Sequence, residues 1–117
     1  MSAINYNERT FAAVSNSEGG EVSSETIFHY RQEGDVVWAT YAGGEVAFGT
    51  LVAKALGDGS LDMRYSHVNL RGELMTGVCR STPEVLPDGR LRLHERWRWT
   101  CGDFSGGESV VEEFKLN

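Results

Sequence analysis

The side chains that could do chemistry in this 117-residue sequence include three histidines, seventeen carboxylates, two cysteines and three tryptophans. Among them Glu95 and His67 are the candidates for acid/base chemistry, because a carboxylate or imidazole with a tuned pKa can move a proton. The sequence has no G-x-S-x-G motif of a serine nucleophile and no glycine-rich phosphate motif. His29, His67 and Glu95 lack the spacing of a metal site, so we predict no metal and no cofactor.

The elements that must position these side chains are strands. Helical periodicity is nearly absent, whereas runs rich in Val, Ile, Thr, Phe, Tyr and Trp recur between turn residues such as Gly43-Gly44 and Arg71-Gly72. The predicted strands are 9–16, 25–33, 35–42, 45–55, 60–70, 73–82, 90–101 and 108–116. Short connections force neighbouring strands to pair antiparallel. The sequence therefore predicts an all-β chain, residues 1–117, folded as a single antiparallel up-and-down barrel of about eight strands.

Hairpin geometry predicts which residues share a face, because residues flanking a tight turn face each other. Applied from strand to strand, this rule predicts one belt around the barrel: His29, Trp38, Gly49, His67, Thr76, Glu95 and Phe114. The strand 90–101 decides which side the belt occupies. Its Arg92, His94, Arg96 and Arg98 alternate with apolar residues and Glu95, and a row of cations must face solvent. The belt is therefore predicted to be interior, and Gly49 and Gly77 to make room inside strands.

This assignment leaves apolar residues on the outer face of strands 35–42 and 45–55. The residues concerned are Val37, Ala39, Tyr41, Val46, Phe48 and Val52. Either a bulge reverses that hairpin, or its outer face packs on another subunit, since exposed apolar patches mark interfaces. We favour the second interpretation, a homo-oligomer.

The predicted interior is too polar for a solid core. It contains His29, Tyr65, His67, Asn69, Thr76, Glu95 and Glu112, and a buried carboxylate needs a partner, a proton or a wet cavity. The first hypothesis is a barrel that binds a small organic molecule in a cavity lined by Trp38, Tyr65, His67, Thr76, Glu95 and Trp97. The Glu95–His67 pair would orient the ligand, and the tryptophans would stack on it. The alternatives are an enzyme that uses Glu95 and His67 as acid and base, and a structural oligomer with a filled core.

Composition narrows the partners and the location. The net charge is −6 and no block of like charge stands out, so neither nucleic acid nor an anionic membrane surface is an expected partner. The sequence shows neither a membrane-spanning stretch nor an apolar signal region at its start, which predicts the cytoplasm. Cys79 and Cys101 are predicted to be reduced, because two cysteines make neither a disulfide lattice nor a metal framework.

Several segments together carry a resemblance to a known family: GEVSSET (20–26), VWATY (37–41), DMRY (62–65), GELMTG (72–77) and RLHERWRW (92–99). They resemble a family of small bacterial proteins with a diverged avidin-type barrel, members of which often carry the label N-acetylglutamate synthase. The likeness covers most of the chain. It implies an avidin- or calycin-like barrel with a ligand at one mouth, held by inward polar residues and tryptophans. It does not imply biotin, because no biotin-ring contact aligns residue by residue.

The sequence argues against the synthase label. An acetyl-CoA-binding acetyltransferase of the usual kind needs an α/β fold and a pyrophosphate loop of the form Arg/Gln-x-x-Gly-x-Gly/Ala. The nearest approach here is RQEGDV (31–36), which ends in valine and lies in a predicted hairpin turn with no helix after it.

Overall fold

The computed structural model describes residues 4–114, which form one closed antiparallel barrel of eight strands. The strands are β1 (Arg9–Asn16), β2 (Ile27–Glu33), β3 (Val36–Gly43), β4 (Val46–Ala55), β5 (Leu61–Asn69), β6 (Leu74–Val85), β7 (Leu91–Trp99) and β8 (Gly106–Glu113). Each strand pairs with the next along the chain, and β1 pairs with β8. The predicted fold is confirmed. The strand bounds agree within three residues, and the predicted end of the last strand at residue 116 lies outside the described residues. The described residues contain no helix long and apolar enough to cross a membrane.

Strand β7 shows why the alternating sequence gives a wall with two faces. Leu91, Leu93, Trp97 and Trp99 are buried, while His94, Arg96 and Arg98 are exposed. The outward row of cations is therefore confirmed. Three of its members, Arg92, His94 and Arg96, pair with acids on neighbouring strands, and the closest contacts are Arg92 with Glu112 at 2.9 Å and His94 with Glu84 at 2.8 Å.

The end of the barrel where β1 begins, here called the closed end, is filled by aromatic and aliphatic side chains. Tyr6 is fully buried there and its hydroxyl donates a hydrogen bond of 2.6 Å to the Gly59 carbonyl. The Tyr6 ring lies near Tyr30, which packs at 4.8 Å against Phe11. Any cavity in the barrel must therefore open toward the other end, where residues 17–26 connect β1 to β2. We call residues 17–26 the cap segment.

The predicted register is correct between β4 and β5, where Gly49 faces His67 and Leu51 faces Tyr65. It is wrong between β3 and β4. The turn pairs Gly43 with Val46, two residues away from the predicted pairing, and a bulge between Tyr41 and Gly43 adds one more residue, so Tyr41 rather than Trp38 faces Gly49. Because a shift of one residue turns every side chain to the other face, Tyr41 points inward and Trp38 outward.

Bulges also correct the predicted outer face. Val37, Ala39, Tyr41 and Val46 are buried inside the barrel. The bulge between Tyr41 and Gly43 accounts for the three residues of β3, and a second irregularity, between Val46 and Phe48 in the β4–β5 pair, accounts for Val46. A bulge was one of the two explanations offered for these residues, and for these four it is the right one. Phe48 and Val52 remain outside, and Val36 and Trp38 join them there.

Three further odd shifts, in the β5–β6, β6–β7 and β7–β8 pairs, reverse the predicted faces of β6 and β8 and leave that of β7 as predicted. The β5–β6 turn has three residues, 70–72, with Gly72 at a φ of 81°, so His67 faces Met75 and Thr76 points outward. Between β6 and β7 a second odd shift restores Glu95 to the interior, opposite Ser81. In β8 the partner of Glu95 is Ser109 and not Phe114. Of the seven members of the predicted belt, Gly49, His67 and Glu95 are therefore interior, and the other four, His29, Trp38, Thr76 and Phe114, lie outside. Glu112, which was also predicted to be interior, pairs with Arg92 on the outer face.

Candidate ligand cavity

An interior cavity of about 50 Å³ lies under the cap segment. Its walls are mostly apolar and carry a few convergent polar groups, which is the usual composition of a small-molecule site. Typical sites for drug-sized ligands measure about 300–1,000 Å³, so the closed cavity holds a few waters rather than such a molecule. The lining includes Phe28, Leu51, Met63, Cys79, Trp97 and Trp99 on the apolar side, and Asn16, Glu21, Tyr41, Tyr65, His67, Glu95 and Ser109 on the polar side.

Four of the six predicted lining residues meet at this cavity: Tyr65, His67, Glu95 and Trp97. Their role in binding stays a prediction. The other two placements are wrong. Trp38 is 38% exposed on the outer face, where the bulge in the β3–β4 pair turned it. Thr76 lies outside because of the three-residue turn before β6, and its hydroxyl is 2.8 Å from that of Thr100.

His67 is held in one orientation by residues on neighbouring strands. Gly49 lies opposite it, and a Cβ on Gly49 would run into the ring of Tyr41 and the side chain of His67. The missing side chain thus lets the Tyr41 hydroxyl reach His67 Nδ1 at 2.9 Å. Burial raises the pKa of Tyr41, so the phenol keeps its proton. The Nε2 atom faces the Glu21 carboxylate, which can only accept, so in the neutral imidazole Nδ1 is the acceptor and the Tyr41 hydroxyl is the donor.

The Nε2 atom of His67 donates in turn to Glu21 of the cap segment, at 2.8 Å from Oε1. The same carboxylate accepts from Asn69 Nδ2 at 3.1 and 3.3 Å and from Arg71 Nη2 at 2.8 Å. Glu21 is only 9% exposed although it lies in a loop. The Glu21 carboxylate is therefore one of the groups that fasten the cap segment to the barrel mouth.

Glu95 has a different partner from the one predicted. It accepts a hydrogen bond from the Ser109 hydroxyl at 3.1 Å, and His67 bonds Tyr41 and Glu21 instead. Burial raises the pKa of Glu95 to about 7, and the nearby hydroxyls of Ser109 and Ser81 offset part of that rise. The Ser81 hydroxyl lies opposite Glu95 but makes no hydrogen bond that meets the distance and angle criteria. It is the one such buried side-chain polar group within residues 4–114.

With this geometry in place, the comparisons with known proteins are informative. Residues 4–114 match the family described as avidin-like protein. No curated protein and no solved structure gives a significant match. The chain belongs to the avidin-like family. The resemblance drawn from the sequence is thereby confirmed as to family, and membership indicates small-molecule binding and oligomerisation in general terms.

In this avidin-like barrel, Trp97 and Trp99 form the wall of the cavity toward the cap segment. Their rings make an edge contact at 5.7 Å. Each indole nitrogen donates to residues at or near the cap: Trp97 to Asn16 Oδ1 at 3.0 Å, and Trp99 to the Gly19 carbonyl at 3.1 Å. Both tryptophans therefore offer ring surface to the cavity while their polar edges bind the segment that closes it.

Sequence reasoning missed three groups of this avidin-like site: Glu21, Tyr41 and Ser109. Tyr41 could have been found, because a glycine inside strand β4 indicates that a bulky neighbour needs the space. The position of Ser109 opposite Glu95 depends on the β7–β8 register. The sequence did not fix that register, because it did not fix the length of the loop between the two strands. Glu21 carries no periodic signal, since it lies in a loop.

The weak metal set His29, His67 and Glu95 does not come together. His29 is exposed on the outer face, where its ring nitrogen lies 3.4 Å from the Thr10 hydroxyl. Across residues 4–114 no group of three or more His, Cys, Asp or Glu side chains is placed to hold a metal ion. Cys79 and Cys101 are both free thiols.

Proposed function

We propose that this avidin-like protein binds a small organic molecule inside the barrel, with the cap segment as the gate. The observation that carries the proposal is the interior cavity, whose apolar wall of Met63, Trp97 and Trp99 meets the polar groups of His67 and Glu95. Both groups have partners, His67 in Tyr41 and Glu21 and Glu95 in Ser109, and they still line free space beside apolar side chains, which is the usual composition of a small-molecule site.

The closed cavity is small, so binding requires the cap segment to move or a ligand of few atoms. The cap segment is suited to moving. Its backbone-to-backbone hydrogen bonds to a strand are confined to its edge, at Ser17, while the backbone N–H groups of Gly20 and Thr26 bond within the segment. Side chains make the other attachments to the barrel, among them the Glu21 carboxylate and the Thr26 hydroxyl, which donates to the Gly43 carbonyl. Segments held by few backbone hydrogen bonds open at low free-energy cost.

The test is a thermal-shift screen against a few hundred metabolites, followed by titration of each hit using tryptophan fluorescence. A ligand that binds only the folded state raises the melting temperature by mass action. Trp99→Phe should weaken a hit severalfold, because Trp99 lines the cavity and its indole nitrogen holds the cap segment.

Trp38→Phe is the matched control, since Trp38 lies on the outer face. A hit weakened equally by both substitutions would bind outside the barrel and contradict the proposal. If no metabolite in the panel raises the melting temperature, the result would favour a structural barrel with a filled core.

We also propose that the protein self-associates through the outer face of β3 and β4. Family membership indicates oligomerisation in general terms. On this face Trp38 and Val52 are directly opposite each other and are joined by Val36 and Phe48, all between 38% and 59% exposed. Adjacent exposed apolar side chains of this size are typical of an interface.

The oligomer proposal is tested by light scattering on a sizing column at micromolar concentration. Val52→Asp should lower the mass of the particle, because it places a charge in the apolar patch. Val14→Asp is matched to it, since Val14 is equally exposed but lies on β1. A monomeric wild-type protein would contradict the proposal.

The second candidate function is catalysis with Glu95 as the acid or base. It is favoured by one observation, the burial that raises the pKa of this inward carboxyl group to about 7, close to the optimum for proton transfer at neutral pH. Turnover of a bound compound followed by NMR, including acetyl transfer from acetyl-CoA to glutamate, tests it. Glu95→Gln should abolish turnover and leave binding measurable.

A further inference from the structure

The Glu21 carboxylate is held at the barrel mouth as a bound ligand would be. Three donors converge on it: His67 Nε2, Asn69 Nδ2 and Arg71 Nη2, at 2.8 to 3.3 Å. All three come from β5 and the turn that follows it, at alternate positions. Alternate residues of a strand lie on the same face, so one strand end presents all three donors to one point.

These donors are aimed by contacts that do not involve Glu21. The Tyr41 hydroxyl holds the ring of His67 in place, at 2.9 Å from Nδ1. The Asn69 side-chain oxygen accepts from the backbone N–H groups of Arg71 and Glu73, which turns the Asn69 amide nitrogen toward the mouth. Glu73 braces two of the donors, because its carboxylate accepts from Arg71 Nε and from Asn69 Nδ2, each at 2.9 Å. Arg71 Nη1 also lies 3.4 Å from the Glu45 carboxylate. We call the three donors, His67, Asn69 and Arg71, the cradle. The cradle would therefore keep its shape if the Glu21 carboxylate moved away, and pre-organised donors bind an anion with little further ordering.

The side chains beside the cradle determine the chemical character of the rest of the ligand. Next to His67 lie the Trp99 ring, at 5.7 Å in an edge contact, and the apolar wall of Phe28 and Leu51. A molecule with a carboxylate in the cradle would place an apolar or aromatic body against that wall. We propose that His67, Asn69 and Arg71 form a carboxylate-binding site, which Glu21 fills when the cap segment is closed and a short organic acid fills when it opens. This inference rests on the proposed binding function and names its ligand class.

Glu21 competes with such a ligand because it is tethered. A tethered group acts at an effective concentration of order millimolar, so free carboxylates bind the wild-type protein weakly. Removing the Glu21 side chain should empty the cradle and remove the competitor. We expect Glu21→Ala to bind propionate and phenylacetate at least tenfold more tightly than the wild type. Glu21→Gln, which keeps the side-chain volume but loses the charge, should lie between them and serves if Glu21→Ala fails to fold.

The experiment measures the melting temperature and the tryptophan fluorescence of each variant against propionate and phenylacetate at constant ionic strength. Propionamide and phenylacetamide are the neutral controls, and inorganic phosphate is the control for other anions. Glu25→Ala is the matched control variant, because Glu25 is an exposed glutamate of the same segment. In Glu21→Ala, carboxylates should raise the melting temperature in a saturable way that amides do not reproduce. Adding Arg71→Gln should abolish that rise, and Arg71 is exposed enough to replace without loss of the fold.

Three outcomes would overturn the proposal: amides as effective as carboxylates, phosphate as effective as carboxylates, or the same response in Glu25→Ala. None of these removes the proposed binding function, which a neutral hit sensitive to Trp99→Phe would still support. Conversely, a carboxylate response in Glu21→Ala with no change in tryptophan fluorescence would place the anion at the mouth without an interior ligand, and would contradict the apolar body proposed for it.

Discussion

Replacing Glu95 by glutamine should change how the stability of this protein depends on pH. Burial raises the pKa of Glu95 from 4.5 to about 7, so near pH 6 the folded protein holds a proton that the unfolded chain releases. A group with a raised folded pKa contributes its full stability below the unfolded value, and that stability is lost as the pH rises through the folded value. Glutamine keeps the shape of the side chain and cannot ionise. The substitution therefore removes this loss.

The size of the effect follows from the two pKa values. The interval between 4.5 and about 7 corresponds to about 3 kcal/mol of unfolding free energy. About 2.5 kcal/mol of this falls between pH 5 and pH 8, by the linkage relation. We therefore expect the free energy of unfolding of Glu95→Gln, minus that of the wild type, to increase by about this amount from pH 5 to pH 8.

The assay is urea denaturation at 25 °C, at fixed ionic strength and protein concentration, in steps from pH 5 to pH 8. Glu108→Gln is the control, because Glu108 is exposed on the neighbouring strand and pairs with Arg96 only at 3.4 Å. Its difference from the wild type should stay constant. If the Glu95→Gln difference also stays within about 0.5 kcal/mol across the range, or falls with rising pH, then Glu95 is not a desolvated carboxyl group and the reasoning is refuted.

Three further predictions concern packing and thiol reactivity. Tyr6→Phe should cost about 1–2 kcal/mol in urea denaturation, because the buried Gly59 carbonyl loses the phenol that bonds it; a change below about 0.5 kcal/mol would contradict this. Gly49→Ala should cost about 2 kcal/mol or more, because the added methyl meets the Tyr41 ring, whereas Gly57→Ala, with open space around it, should cost much less; equal costs would refute the packing argument. Cys101 should react with a thiol reagent faster than Cys79, whose thiol is buried with a raised pKa; fast labelling in Cys101→Ala would show otherwise.

The sequence by itself was enough to predict the number of strands and the closed antiparallel barrel. The reason is that alternation along each strand and the turn residues between strands are local properties. Strand β7 also disclosed its own orientation, since Arg96 and Arg98 could only face water and thus placed Glu95, Trp97 and Trp99 inside. The hairpin of β4 and β5 was predicted in the right register, which brought Gly49 to His67.

Only the tertiary structure decided the faces of the remaining strands. The bulge at Tyr41–Gly43 and the three-residue turn before β6 each change the register by an odd number. Each therefore reverses a whole strand, moving Tyr41 in and Trp38 and Thr76 out. Turn residues such as Gly43-Gly44 fit both a tight turn and a bulged one. Whether a hairpin's register shifts by an odd or an even number of residues therefore depends on how its side chains pack in the closed barrel.

The partner of His67 was also decided by tertiary structure. Glu21 lies 46 residues away from His67 in a segment without strand or helix periodicity, and nothing local distinguishes it from Glu18 or Glu25. Its place is set by the closure of the barrel, which brings the cap segment over the end of β5. The sequence thus determined which residues line the walls formed by β4, β5 and β7. The site could not be predicted without the fold. The register of each strand pair and the position of the cap segment are properties of the whole closed sheet and not of any one segment.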